Sequence, residues 1–542
     1  MSSQHRPMPR PAMPLVGSVP VVFILATAAS VWATVAVSLW WLFAVVLSGA
    51  LASVAVYDFF QRRHAVLRNY PLLGHLRYLL EAIRPEMQQY FIERDYDGRP
   101  FDRDTRTVVY EQAKGIHEET SFGTELDVMQ PGYEFVEHAT APLTPEDDPP
   151  RVRIGGPDCT QPYEMALLNV SAMSFGSLSA NAIRAMNAGA KGGGFAQDTG
   201  EGGLTPYHLE GGGDLIWEIG SGYFSVRTPD GDFDPAQFRD KVAHPHVKCA
   251  ELKLSQGAKP GLGGVLPAGK VSAEIARFRE VPQGEKCISP PAHKVFHTPR
   301  ELVLFLAGMR ELADGKPIGF KLCLGRRSEF LAICKAMLAE GVTPDFITVD
   351  GSEGGTGAAP LEFQDSVGKP LTDGLMTVHN ALVGTGLRDR IRIGASGKVA
   401  TGMDIVKRVA QGADYTNSAR AMMMATGCIQ SRLCHTNRCP VGVATQDPRR
   451  ARALDVADKT ERVRRYQQNT VAEAQQIIAA MGLREPRELR PAHLLRRIDQ
   501  NTVRTYADLF DWLEPGELLA DAPQDWAADW AAADPDTFSS KG

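Results

Sequence analysis

The sequence predicts an α/β protein: a (β/α)8 TIM-type barrel preceded by an N-terminal transmembrane hairpin. Three observations carry this. From about residue 160 to 450, short apolar stretches alternate with helix-like ones, the rhythm of parallel strands joined by crossover helices. Several of those apolar stretches run directly into Gly- or Ser-rich loops, and in a barrel the loops after the strands build the active site. Residues 11–57 contain no Asp, Glu, Lys, Arg or His, and one membrane-crossing helix needs about 20 apolar residues. An open doubly wound sheet shares the first two features, and periodicity does not separate it from a barrel.

The apolar run is long enough for two spans, near 14–31 and 42–57, with Trp32, Trp40 and Trp41 at the far interface. Arg6 and Arg10 precede the first span, and Arg62, Arg63 and Arg68 follow the second. The positive-inside tendency then places both ends, and the body, on the cytoplasmic side of the inner membrane. A signal peptide cleaved near Ala26-Thr27-Ala28 is the alternative, and a single long tilted helix would invert the topology. The expected organisation is an anchor over 1–58, a juxtamembrane and linker region over 59–150, the barrel over 151–470, and a helical, acidic tail over 471–542. In the second region Leu76, Leu79, Leu80, Ile83, Met87 and Tyr90 recur at helical spacing, which fits a helix lying on the membrane surface or on the body.

Candidate strands are 166–173, 248–254, 318–324, 346–350, 391–395 and 414–418, with helices over 299–313, 328–340 and 401–412 between them. Glycine clusters between 155 and 440, where it allows close backbone approach to a ligand. The net charge of -6 gives no global signal for nucleic acid. Residues 505–542 hold nine Asp or Glu against one Lys, with Trp512, Trp526 and Trp530 interspersed, and read as a solvated or loosely docked tail.

Cys428, Cys434 and Cys439 stand at C-x5-C-x4-C. Three thiolates without a fourth nearby suit a three-iron cluster. Zinc completed by His435 and inert thiols remain the other readings. GSEGGTG (351–357) follows one predicted strand, and IGASGK (393–398) ends another ahead of a helix. A strand, a Gly-rich turn and a helix N-terminus together can hold a phosphate. Neither loop matches the dinucleotide fingerprint or a Walker loop.

Taken together, SAMSFGSLS (171–179), TGEGG (199–203), KLSQGAKPGLGG (253–264), ISPPAH (288–293), GFKLCLG (319–325), DGSEGGTGAAP (350–360) and CIQSRLCHTNRCPVGVATQ (428–446) resemble the FMN-binding domain of glutamate synthase over about 170–447. The resemblance implies FMN at the barrel mouth beside a [3Fe-4S] cluster held by the three cysteines. It implies that Met173, Ser174, Gln256, Lys321, Gly354, Gly355 and Thr356 contact the flavin, and that Ser396, Gly397 and Ser418 lie at its phosphate. Lys253, Lys259 and Lys270 become candidate partners of a 2-oxo acid, and Glu201 and Glu353 candidate proton-handling groups. The activity implied is reductive amination of 2-oxoglutarate with ammonia or an amine, with electrons from ferredoxin or a flavoprotein. The same cofactors acting on another substrate or on quinone form the alternative. Departures are the membrane segment in place of a glutaminase domain, Ser418 where Gly is usual, and Glu353 for Asp.

Overall fold

The protein is described by a computed structural model covering residues 18–61, 63–116 and 121–538. It divides into two units, one ending at Arg103 and one beginning at Asp104. Arg6, Arg10, Arg62 and the start of the first expected span lie outside the described residues.

The first unit opens with two apolar helices, Ser18–Ala36 and Leu42–Phe60, joined through a 3-10 turn at Leu39–Trp41. Each is long and apolar enough to cross a membrane. Their hydroxyls are satisfied within the helices: Thr27, Ser30, Thr34 and Ser53 each donate to the carbonyl four residues back, at 2.8 Å. A polar atom in hydrocarbon needs such an internal partner. Trp32 lies inside the first helix rather than at its end, because the break falls at Ser38, whose hydroxyl accepts from Trp40 N. An amphipathic helix, Leu73–Met87, follows and ends in a π-helical turn at Gln88–Ile92.

The second unit is built on a closed barrel of eight parallel strands, which decides against the open sheet. The strands are β1 (Leu168–Val170), β2 (Ala196–Asp198), β3 (Asp214–Ile219), β4 (Val247–Lys253), β5 (Ile318–Leu322), β6 (Phe346–Asp350), β7 (Arg392–Ser396) and β8 (Tyr415–Ser418). Pairing of Thr416 with Leu168 closes the ring. Strands β2 and β3 were not among the expected six.

Helices such as Pro299–Leu312, Arg327–Glu340 and Leu371–Gly384 bury their apolar faces against the outside of the wall, where Trp217, Phe238, Phe320, Phe330 and Leu375 form part of one core. Inside, Ile154, Met165, Ile216, Cys249, Phe346 and Tyr415 pack together. Gly394 makes room for this packing, since a Cβ there would meet the Tyr415 ring at 2.5 Å.

The helix completing the barrel after β8 is Val456–Ala480. It is tied to the wall by Tyr466, which donates to Ala400 O at 2.9 Å, and Gln467, which donates to Leu168 O at 3.1 Å. Between β8 and this helix lies the segment bearing Cys428, Cys434 and Cys439.

The acidic C-terminal segment is firmly docked, where a solvated or loosely docked tail was expected. Trp526 is buried beneath the Arg327 guanidinium, 4.3 Å from its ring centroid, and Arg327 also pairs with Asp529 at 2.6 Å. Lys335 donates to Trp530 O and Ala533 O. The acids there answer cations on the barrel helices, a match that a charge count cannot reveal.

Candidate functional site

The C-terminal ends of the strands gather most of the predicted residues. Lys253, the last residue of β4, places its ammonium 2.8 Å from Glu201 and 2.7 Å from Gln256 Oε1. His293 holds the Lys253 carbonyl at 2.8 Å and Tyr223 at 3.0 Å. Burial disfavours the Glu201 anion, yet Lys253, Lys259 and Arg279 hold its pKa down at about 2. Burial brings Lys259 down to about 8 despite the pull of Glu201. Lys259 donates to Ala358 O at 3.1 Å, which ties the 253–264 loop to the glycine loop after β6.

That tie is reinforced by the backbone. Gly257 N donates to Asp350 at 2.8 Å, and a side chain at Gly257 would collide with the Gly351 carbonyl. Only glycine permits such an approach. Gly354 N returns to Gly351 O at 2.8 Å, and Thr356 donates to Ala358 O at 3.3 Å. Gly355 lies against Arg420, whose guanidinium donates to Glu353 O at 2.6 Å. The Glu353 carboxylate accepts from Leu371 N at 3.0 Å, so it satisfies an N–H at the start of the helix Leu371–Gly384.

Deeper in the barrel, Lys321 of β5 is buried and donates to Glu218 of β3 at 2.9 Å. Asp198, Glu218 and Glu251, from β2, β3 and β4, bring carboxylate oxygens within 4.8 Å of one another. Burial, then Glu218 and Glu251, push Asp198 well above the carboxylate range. Burial raises Glu251 to about 7 against the pull of Lys321. Burial opposes the Lys321 ammonium, but the surrounding carboxylates outweigh it and raise its pKa. The ammonium is thus kept charged inside the wall.

The seam between β7, β8 and β1 is lined by hydroxyls. Ser396 lies 3.1 Å from Ser171, and Ser418 donates to Val399 O at 2.7 Å. Gly397 has φ 146°, a conformation open to glycine. The nearby helix Gly402–Ala410 is closed by its own capping box, with Thr401 bonded to Asp404 N and the Asp404 carboxylate accepting from Ala400 N and Thr401 N. An anion at this seam would therefore meet the hydroxyls and the Gly397 turn rather than that helix end.

Met173 is buried beside the Ser174 turn, and Ser174 Oγ accepts from Arg279 at 3.2 Å and donates to Ser177 at 3.1 Å. The cysteine segment clasps the same turn, since Gln446 donates to Gly176 O and Leu178 O at 3.1 and 2.6 Å. Lys270 joins them, donating to Ser177 O at 2.7 Å while facing Cys434 and Cys439.

The three thiols lie within each other's electrostatic field. Burial lifts Cys428 to about 12, with Cys434 and Cys439 adding to the shift. Left-handed residues Gln430, Arg432 and Asn437 fold the loop around them. Among the described residues, the group of ligand-type atoms within 4.8 Å of one another is the carboxylate trio, not the thiols. The thiol spacing is therefore wider than one small ion would ask for.

Sequence reasoning missed Arg279, Glu218, Glu251 and Asp198. Arg279 is buried, with its guanidinium against Ser174, and its Nε has no partner. Nothing in IARFRE marks it. The three carboxyls meet only because three neighbouring strands pair side by side.

This is a (β/α)8-barrel protein whose mouth joins a lysine–carboxylate network to a thiol-bearing eighth loop. The family model for the conserved region in glutamate synthase matches residues 143–484, and the chain belongs to the glutamate synthase family. It is 36% identical over 493 residues to the glutamate synthase large subunit-like protein YerD of Bacillus subtilis, covering 83% of this chain and 93% of that one. It is 33% identical over 322 residues to the archaeal glutamate synthase [NADPH] of Methanocaldococcus jannaschii, covering 59% of this chain and 60% of the relative. The ferredoxin-dependent glutamate synthase of Pyropia yezoensis is 36% identical over 272 residues, which is 49% of this chain but only 17% of that protein.

Proposed function

We propose that the chain is an FMN- and [3Fe-4S]-dependent oxidoreductase of the glutamate synthase type, which reductively aminates 2-oxoglutarate to glutamate with electrons from ferredoxin or a flavoprotein. The observation that carries the reading is the Lys253–Glu201–Gln256 cluster at the C-terminal end of β4, with Lys321 buried on the neighbouring strand β5. The residues present fit both groups. Arg279 Nε and Asn417 Oδ1 are buried without partners, which leaves a donor and an acceptor for a polar cofactor to fill. Three thiols in one loop are the donor set of a three-iron cluster.

Gln256, Lys321, Met173, Ser174 and the Gly354–Thr356 turn would hold the flavin, with Ser396, Gly397 and Ser418 at its phosphate and Cys428, Cys434 and Cys439 holding the cluster. Bound FMN supplies hydride transfer, and the cluster supplies electrons one at a time. The chain's own groups then divide the work. Glu201, with a pKa of about 2, stays ionised and fixes the Lys253 ammonium in place. Lys253 and Lys259 present positive charge to a dicarboxylate. Lys259, with a pKa of about 8, is one group beside this cluster able to exchange a proton near neutral pH. Lys321 keeps a cation in the dry interior, where it favours developing negative charge.

The two apolar helices support anchorage in the cytoplasmic membrane, and Arg63 and Arg68 after the second support a cytoplasmic body. The hairpin also favours a second reading, in which the same cofactors exchange electrons with membrane quinone.

The test is anaerobic purification in detergent, reduction with dithionite, and addition of 2-oxoglutarate and ammonium. Flavin reoxidation that requires both, with glutamate formed, is the expected result. Bound flavin indifferent to that pair but reoxidised by a quinone would replace the first reading with the second.

A further inference from the structure

The second apolar helix ends with an aspartate that is fully buried. Asp58 stands two residues before the end of Leu42–Phe60 and is 0% exposed. Its carboxylate accepts from Leu72 N at 3.0 Å and meets His75 Nε2 at 2.9 Å. A carboxylate at the end of an apolar helix is tolerated when its lone pairs are filled in this way. The consequence is geometric. The first turn of the helix Leu73–Met87 is fastened level with the end of the second apolar helix. Gly74 also lets this turn pack closely on the short intervening helix Ala65–Asn69, since a Cβ there would meet Leu67 Cδ2 at 2.8 Å.

From that fixed point, Leu76, Leu79, Leu80, Ile83 and Met87 form one stripe at helical spacing, 42–57% exposed. Ala82, Pro85 and Gln89 lie on the opposite side. Between residues 59 and 85 the sequence holds five arginines and a single acid, Glu81. An apolar stripe on a helix bordered by arginine is the pattern of a segment lying in the plane of an anionic leaflet.

We propose that residues 73–92 form a helix embedded in the surface of the leaflet in which the second span ends, pinned at that depth by the Asp58–His75–Leu72 clamp. The occupant of the leucine stripe is lipid at the headgroup–acyl boundary. This rests on the reading of the two apolar helices as membrane spans.

The test uses the full chain in nanodiscs of phosphatidylcholine and phosphatidylglycerol, with a benzophenone amino acid placed singly at Leu76, Leu80 or Ile83. Ala82 and Gln89 serve as opposite-face controls, and Val46 as a control within the second helix. Lipid adducts at 76, 80 and 83 are expected to approach those at Val46 and to exceed those at 82 and 89 by about fivefold or more. In Asp58→Ala the adducts at 76 should fall to the level of 82, and His75→Ala should move them the same way by less. Adducts at 76, 80 and 83 to residues beyond 104, or to a second copy, would overturn the proposal. Lipid adducts at Val46 without any at the three stripe positions would overturn it alone. Absence of lipid adducts at Val46 would remove the hairpin reading and this one with it. Adducts at 76 unchanged in both variants would overturn the clamp.

Discussion

The Lys321 ammonium reaches from β5 past β4 to the Glu218 carboxylate on β3, 2.9 Å away, and the two residues are only 4% and 2% exposed. Removing one member of a buried pair leaves the other uncompensated, at a cost of about 3–5 kcal/mol. Lys321→Met should lower the denaturant midpoint accordingly and release flavin on gel filtration. A variant of unchanged stability that retains flavin would show that the pair neither supports the barrel nor touches the cofactor.

The carboxyls around that lysine give stability a distinctive pH dependence. Glu251 has a pKa of about 7 in the folded protein, against about 4.3 unfolded. Between those values the native state keeps a proton that the unfolded chain has released, so this group's contribution is lost as pH rises through the window, by at most about 1.4 kcal/mol per unit. Glu201 has the opposite sign. Its folded pKa is about 2, so its contribution is present above about 4.3 and is lost as pH falls. Thermal melts of Glu251→Gln should show a shallower decline between about pH 5 and 7 than the parent protein. Parallel curves would remove Glu251 from this account.

Lys259 titrates near 8, so its positive charge is lost above that pH. The KM for 2-oxoglutarate should rise by up to about tenfold per unit beyond the pKa. In Lys259→Arg the rise should disappear, because a guanidinium stays protonated. Steady-state profiles of the two proteins decide it, and a rise that persists in the arginine variant would assign it to another group.

Cys434→Ser should reduce iron and acid-labile sulfide per chain to background and abolish the cluster's electron paramagnetic resonance signal. Flavin content is expected to persist, since the Lys253 and Lys321 contacts do not involve this loop. Full iron content in the variant would exclude Cys434 as a ligand.

Trp526→Ala removes a buried indole from beneath Arg327. Loss of so large a side chain costs about 3–5 kcal/mol, and proteolysis should then enter the chain after residue 520. Resistance equal to that of the parent would return the tail to a peripheral role.

Much of the barrel was legible because its later strands are apolar and end in glycine. FITVD and its GSEGGTG loop, and RIGAS with the turn after it, stand where the sequence puts them. Strand β2 escaped because it is three residues long, AQD, and points a carboxyl into the barrel. Strand β3 escaped because DLIWEI combines core residues with two acids, one of which pairs with Lys321 inside. The lysines near the mouth were readable from their loop motifs, whereas Arg279 becomes part of the site only when its helix packs against the Ser174 turn. The tail misled because its acids are paired with Arg300 and Arg327, each hundreds of residues away in the chain.

The segment carrying the cysteines leaves one wall-bound helix at Ala425 and rejoins another at Val456. Both attachment points are fastened to the barrel without help from the thiols. If the proposed cluster is held there, the scaffold could close first and present a finished cradle, to be filled without the polypeptide having to unfold.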